Sequence, residues 1–327
     1  MEDHVAIGHP TMTNGVQSDG RNSPTFGLRL RCPRCATDLA VADCPHCALR
    51  LSAQDGIVQA LPPERLVHYA RFIADFERIR AAEGRGSEGD AYYLQLPYKD
   101  LSGKNTNQWR IRARTYDHLV RHVLRPNVPL GAQILDLGAG NGWLSYRLAR
   151  AGYAPVAVDL LVNDHDGLGA AAHYGGYLPV LFPRFRAELT RLPLQGAQFD
   201  AVIFNASFHY AEDPEAALRE ALRCTRLGGL VMICDTPWYS HEDSGRQMVA
   251  ERHNSFRRRF GTTSNSIQSF EFLTDERLRI LADRSSVTWT ANAPWYGVRW
   301  TLRPFLARLC RRREPSRFRV YVARKKF

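Results

Sequence analysis

No stretch of the chain approaches the roughly 20 consecutive apolar residues that a membrane-crossing helix needs. The first 27 residues carry Glu2, Asp3 and polar, glycine-bearing sequence where a leader peptide would have its hydrophobic core. These two absences point to a soluble chain with the cytoplasm as its default compartment, no membrane partner, and residues 1–27 as a disordered tail. Lysine is scarce too: Lys99, Lys104, Lys325 and Lys326 are four among 44 basic residues, so arginine carries nearly all of a formal charge of +11. Such a skew follows coding bias as readily as selection for a polyanion and is weak evidence for either. A 44% hydrophobic content supports a sizeable core, and 327 residues suggest one large domain or two modest ones.

What is present is sharpest in Ile134-Leu135-Asp136-Leu137-Gly138-Ala139-Gly140-Asn141-Gly142-Trp143, a buried-strand pattern running into a glycine-rich turn that opens a helix. Closely spaced glycines let a backbone pass beside a ligand without Cβ clashes, and the helix start offers free N–H groups. The dinucleotide fingerprint G-x-G-x-x-G fails here, because Trp143 occupies its third glycine position and is too bulky for close helix–strand packing. Asp136 would repel a pyrophosphate but suits an ammonium group. A second apolar run, 154–158, ends in Asp159, at about the spacing from Gly138 at which an acid meets a ribose diol. Together the two acids fit an adenosyl amino acid.

With Glu188-Leu189-Thr190-Arg191-Leu192-Pro193-Leu194, Phe199–Phe204 and the run Glu220–Ile233 through Gly228-Gly229, the chain resembles the class I S-adenosylmethionine-dependent methyltransferases, with a type 11-like core. The resemblance implies S-adenosyl-L-methionine as cofactor. Its contacts would come from Asp136, Gly138, Ala139, Gly140 and Gly142 at the first turn, Asp159 and Leu160 at the second strand end, Glu188 and Leu189 on the adenine side, and Asn205. The residues agree on their own: strand-like runs 132–137, 154–158, 200–205 and 229–234 alternate with helix-like runs, predicting an α/β, Rossmann-like, doubly wound and mostly parallel sheet.

Four of the seven cysteines fall in Cys32-Pro33-Arg34-Cys35 and Cys44-Pro45-His46-Cys47, a C-x2-C-x8-C-x2-C array. Two such knuckles present four thiolates to one tetrahedral ion, and a turn-rich segment this short has little core without it. Zinc in a closed, structural site is the expectation, with rubredoxin-like iron or disulfides as poorer fits. Residues 28–62 resemble the small zinc ribbon found with methyltransferases of the translation machinery, including bacterial ribosomal RNA guanine methyltransferases, although the inter-knuckle spacing is shorter. The remaining cysteines, Cys224, Cys234 and Cys310, sit in apolar contexts that predict burial.

Residues 63–130 read as a helical linker and cap. An amphipathic helix over 64–83 is followed by a glycine-rich joint and then by a polar, aromatic stretch before a helix over 108–124. By the family resemblance, Tyr98, Asn107, Trp109 and Arg112 are candidates for capping the methionine end or meeting the acceptor. The catalytic domain then spans 131–327 with an insertion near 241–270, and residues 299–313 are helix-like between two last strands.

Methyl transfer is an in-line displacement in which alignment alone supplies roughly 7–11 kcal/mol, so a base is not obligatory. Where one is used, His209 after the fourth strand is the first candidate, since an ordinary imidazole titrates near neutrality. Asp235, Trp238 and Tyr239 after the fifth strand are expected to line the acceptor pocket. The N-P-P-Y motif of exocyclic amino-group methylation is missing. A small-molecule acceptor is the leading expectation because aromatic segments flank the core on both sides. The alternative is RNA, suggested by the ribbon and by eight basic residues between Arg311 and Lys326 that face Glu314 alone. A half-buried strand over 317–323 with charges on its solvent face accounts for the same tail. A catalytically silent scaffold is the remaining reading.

Overall fold

The computed structural model describes residues 27–326; the expected tail over 1–27 lies outside the described residues apart from Gly27. Eleven strands are described: β1 (Leu30–Arg31), β2 (Asp38–Leu39), β3 (Ser52–Gln54), β4 (Ile57–Gln59), β5 (Gln133–Leu137), β6 (Ala154–Asp159), β7 (Arg184–Arg186), β8 (Phe199–Asn205), β9 (Thr225–Cys234), β10 (Trp289–Asn292) and β11 (Val320–Arg324). Nine of them form one sheet in the order β10-β11-β9-β8-β5-β6-β7-β4-β3. From β4 to β9 every pairing is parallel, whereas β11 runs antiparallel to both its neighbours. The result is the mixed, mostly parallel α/β architecture that the sequence predicts.

Alternation along β5 explains why Ile134, Leu135 and Leu137 are all apolar. Ile134 enters the core on one face of the sheet, and Leu135 and Leu137 enter the core on the other. A parallel strand covered on both faces has no solvent side. The register sets Leu137 beside Val158 and Phe204, so the ends of β5, β6 and β8 line up along one edge, and Asn205 pairs with Cys234 at the end of β9. Ligand crevices of open α/β sheets form beyond such carboxyl ends.

Segment 28–62 is not a separate layer. Its first hairpin, β1–β2, stands apart, but the second, β3–β4, continues the central sheet through Ile57↔Arg184 and Val58↔Phe185. Successive side chains point to opposite faces, and Ile57 and Val58 accordingly join the two different cores. The helix Pro63–Ala82 follows at once, burying Tyr69, Phe72 and Ile79. The helix Thr106–His118 runs on through a wide π-type turn, Leu119–Leu124, and past Pro126 to Asn127, beyond the expected end at residue 124. The helix Glu242–Phe260, within the expected insertion, packs against Pro63–Ala82, and Thr262 Oγ1 donates to Asp75 Oδ2 at 2.7 Å. Cys224 and Cys234 are buried as expected, but Cys310, at the end of helix Val298–Leu309, is exposed along with Leu309 and Arg311 on either side of it. Among the described residues no helix is long and apolar enough to cross a membrane.

Candidate active site and cysteine cluster

The glycine turn is built by positive φ angles at Gly138 (75°), Gly140 (55°) and Gly142 (75°), a region that L side chains rarely adopt. The N–H groups of Gly138 and Ala139 both donate to Val158 O, at 2.8 and 3.0 Å, pinning the turn to the end of β6. Gly140 N donates to Asp159 Oδ2 at 2.8 Å and Leu161 N to Asp159 Oδ1 at 2.8 Å. Burial raises the Asp159 carboxyl to about 6. Each oxygen keeps a second lone pair, which suits it to a diol.

Asp136 has the donor set of an ammonium site. Its Oδ2 accepts from Ser145 Oγ at 2.8 Å, while Oδ1 is buried with no partner. Burial pushes its carboxyl up to about 7, with Asp159 adding repulsion. A cation brought against Oδ1 would complete the pairing and hold the group ionised. Around these acids lies a cleft lined by Gly138, Ala139, Gly140, Leu160, Leu189 and Asn205, all expected as cofactor contacts.

The cleft is also lined by residues that the sequence reading missed: Tyr69, Phe72, Phe76 and Arg80 on helix Pro63–Ala82, Tyr210 after β8, and Ile267. Arg80 is held by Asp166. The helical spacing of Tyr69, Phe72 and Phe76 was the available signal, but a periodic face does not say whether it packs on core or on a ligand.

A second cavity adjoins the first and shares Phe72, Phe76, Arg80, Arg112, Ala206 and Tyr210 with it. His209, Asp235, Glu271 and Arg252 line its walls. β8 runs into Ala206 (φ 56°) and β9 into Asp235 (φ 50°), both left-handed non-glycine residues. Strain of this kind concentrates at functional sites. Asp235 Oδ1 accepts from Thr115 Oγ1 at 2.6 Å, and its buried Oδ2 has no partner. Burial raises its carboxyl. Arg112 is pulled down to about 10, first by burial and then by repulsion from Arg85 and Arg80. His209 departs from the expected near-neutral titration: burial, then Arg252 and Arg112, lower it to about 3. It is a neutral imidazole at physiological pH, with Nδ1 buried and unpartnered.

Other candidates are placed elsewhere. Glu188 is buried, but Arg65 and Tyr69 hold its carboxylate, at 2.7 Å from Arg65 Nη2 and 3.0 Å from the Tyr69 hydroxyl. It does not line the cleft. Tyr98 is half exposed and donates to Asp117 Oδ1 at 2.8 Å, and Asn107 is exposed. Trp109 is buried edge-on against Trp143 and carries the Arg112 guanidinium 4.8 Å above its ring. Trp238 donates to Asp275 Oδ1 at 3.0 Å, with the Arg317 and Arg319 guanidiniums 5.5 and 3.7 Å from its ring, while Tyr239 packs on Phe272. Of the expected acceptor contacts, Arg112 and Asp235 line the second cavity; Tyr98, Asn107, Trp109, Trp238 and Tyr239 do not.

The sulfurs of Cys32, Cys35, Cys44 and Cys47 all lie within 4.8 Å of one another, with Cys32 and Cys47 3.5 Å apart and Cys35 and Cys44 3.4 Å apart. None is in a disulfide. Zn–S bonds of about 2.3 Å in a tetrahedron place sulfurs roughly 3.8 Å apart, which matches this spacing. The two knuckles repeat one geometry: Ala36 N donates to Cys32 O and Ala48 N to Cys44 O, with both alanines at positive φ. None of the four cysteines lines the cleft, and the cluster is tied to helix Pro63–Ala82 by a two-point Arg34–Glu64 pair at 2.8 and 2.7 Å.

Part of the chain is similar to known proteins. The profile of the family described as "Methyltransferase domain" matches residues 135–233. The demethylmenaquinone methyltransferase of Mycobacterium bovis (strain BCG / Pasteur 1173P2) is 30% identical over 191 residues, 57% of this chain and 75% of that protein. That of Mycolicibacterium paratuberculosis is 30% identical over 171 residues, 52% of this chain and 70% of the relative. Among solved structures, magnesium protoporphyrin IX methyltransferase from Synechocystis PCC 6803 with bound SAH superposes with a TM-score of 0.50 at 15% identity, covering 80% of this chain and 99% of that one.

Proposed function

Because the chain belongs to the class I S-adenosylmethionine-dependent methyltransferases, we propose that it moves the cofactor's methyl group to a small molecule held in the second cavity. The observation that carries this reading is the wall of six residues common to both cavities, Phe72, Phe76, Arg80, Arg112, Ala206 and Tyr210. An acceptor seated in the second cavity meets the cofactor cleft across that boundary. Similarity to a demethylmenaquinone methyltransferase and to a magnesium protoporphyrin IX methyltransferase is in keeping with it.

The cofactor would bring an electrophilic methyl on a sulfonium. Asp136 would hold its ammonium, Asp159 its ribose diol, and Leu160 and Leu189 the faces of its base. Helix Pro63–Ala82 shields the cleft from water. In the second cavity Arg112, with no carboxylate partner among the described residues, would orient an acidic or carbonyl group of the acceptor. A proton released by the acceptor goes to Asp235 more readily than to His209, since burial strengthens the carboxylate as a base while weakening the imidazole. The four thiols would hold zinc in a structural role, bracing β1–β2 and the start of helix Pro63–Ala82.

An RNA acceptor has less support. Arg317 and Arg319 stack on Trp238, Arg324 and Lys325 donate to Gly228 O and Thr225 O, and Arg313 pairs with Glu251, so much of the basic tail is engaged within the protein. Incubating the full chain with methyl-labelled S-adenosylmethionine and a cell extract, then separating small molecules, RNA and protein, tests the reading. Label in the small-molecule fraction is expected; label confined to RNA or protein would overturn it.

A further inference from the structure

The helix Val298–Leu309 carries its apolar residues on the wrong side for a core. Val298, Leu302, Phe305, Leu306 and Leu309 are each between 47% and 65% exposed, and Trp295 just before the helix is 65% exposed. At 3.6 residues per turn those five positions fall within an arc of about 100°. The opposite face holds Trp300, Arg303, Pro304 and Ala307, all partly buried. Trp300 stacks on Phe318 with ring centroids 5.6 Å apart, and Arg303 lies 3.9 Å over Trp300. The helix is thus fixed to the protein by one side and presents a stripe of large hydrophobics outward.

Charge frames the stripe. Arg299 and Arg308 are exposed at its two margins, and Arg311 and Arg312 are exposed just beyond its end. No carboxylate of the described residues pairs with any of these four within 4 Å. The sequence from 284 to 313 contains no Asp or Glu at all. An outward apolar arc of Trp, Phe and Leu bordered by unpaired arginines is complementary to the acyl boundary and headgroups of an anionic bilayer. A protein partner would have to supply both a hydrophobic groove and an acidic rim.

We propose that helix Val298–Leu309, with Trp295, seats this protein on an anionic lipid surface. Twelve residues span about 18 Å, short of the roughly 30 Å hydrocarbon core, so the helix lies in the interface and does not cross it. The expectation of no membrane partner came from the lack of a spanning run, a criterion that an interfacial helix escapes. The position has a use. Phe318, the stacking partner of Trp300, also lines the second cavity, and Tyr296 shares a 2.8 Å hydrogen bond with Thr115, the residue that holds Asp235. A docked helix therefore brings the wall of that cavity close to the lipid.

Co-sedimentation of the full chain with phosphatidylcholine vesicles, and with equal parts phosphatidylcholine and phosphatidylglycerol, tests the proposal at low salt and at ~0.5 M salt. Binding to the mixed vesicles, lost at high salt and absent on phosphatidylcholine alone, is expected. The exposed double variant Leu302→Glu/Phe305→Glu and the triple variant Arg308→Gln/Arg311→Gln/Arg312→Gln should each bind about tenfold more weakly or worse, with unchanged circular dichroism. Phe305→Trp should bind as the parent does. A parent chain that stays in the supernatant, variants that sediment undiminished, or a dimer in light scattering that Leu302→Glu/Phe305→Glu dissolves would each overturn it, the last by showing a second copy on the stripe. The assay needs neither S-adenosylmethionine nor acceptor, so its outcome is independent of the small-molecule reading.

Discussion

Gly138 lies so close to Ser207 that a Cβ at 138 would stand 2.2 Å from the serine's Cβ, and the Ser207 hydroxyl donates to the carbonyl of Leu137 beside it. The turn after β5 and the loop after β8 therefore fit each other at a point where only glycine has room. Gly138→Ala should cost more than ~1 kcal/mol of stability through its positive φ alone, and more if Ser207 has to move. It should also lose S-adenosylmethionine binding by calorimetry; binding at parental affinity would place the cofactor elsewhere.

Binding of the cofactor should be pH-dependent with a definite sign. In the free protein Asp136 sits near 7, and an ammonium partner lowers it, so binding releases a proton. Affinity should fall as pH drops below about 7, by up to ~10-fold per unit. Asp136→Asn should bind weakly with a flat profile. The ligand-free protein should show the opposite tendency from this group: a raised carboxyl stabilises the fold at low pH, and that contribution is lost as pH rises from about 4 through 7. Calorimetry and thermal unfolding across that window separate the two.

Asp235→Asn should lower kcat by about 10²-fold or more if the acceptor loses a proton in the transition state, with cofactor affinity unchanged. His209→Gln should have a smaller effect, and no pH–rate limb near 6.5 should vanish with it. A limb that does vanish would restore the imidazole as the base.

Cys32→Ser should abolish one bound zinc per chain by atomic absorption and lower the melting temperature, while Cys310→Ser, at an exposed position outside the cluster, should change neither. Full metal content in Cys32→Ser would mean that another residue closes the shell.

The sheet's central strands were legible because they are buried on both faces, and mostly apolar runs survive in sequence as β5, β6, β8 and β9. β7 was not, being three residues, Arg184-Phe185-Arg186, of which two are arginines; Arg184 is buried only because Leu168 O and Asp55 O accept from its guanidinium. The cofactor turn was readable for a local reason: strand end, glycines and acid all lie within a few residues. Properties imposed from far along the chain were hidden. Glu188 looks like a ligand contact until Arg65, 123 residues away, takes its carboxylate. His209 looks like a neutral-pH base until Arg112 and Arg252 are folded against it.

The join between β4 and β7 alters what a catalytic domain means in this chain. With Ile57 in one core and Val58 in the other, the cysteine-bearing segment has no autonomy, and a truncation starting at residue 63 would turn β7 into a raw sheet edge and uncover both faces beside it. That edge lies next to β6, whose end carries Asp159. A replacement for the N-terminal segment would therefore have to supply a strand that pairs with β7 and side chains that fill both cores beside it.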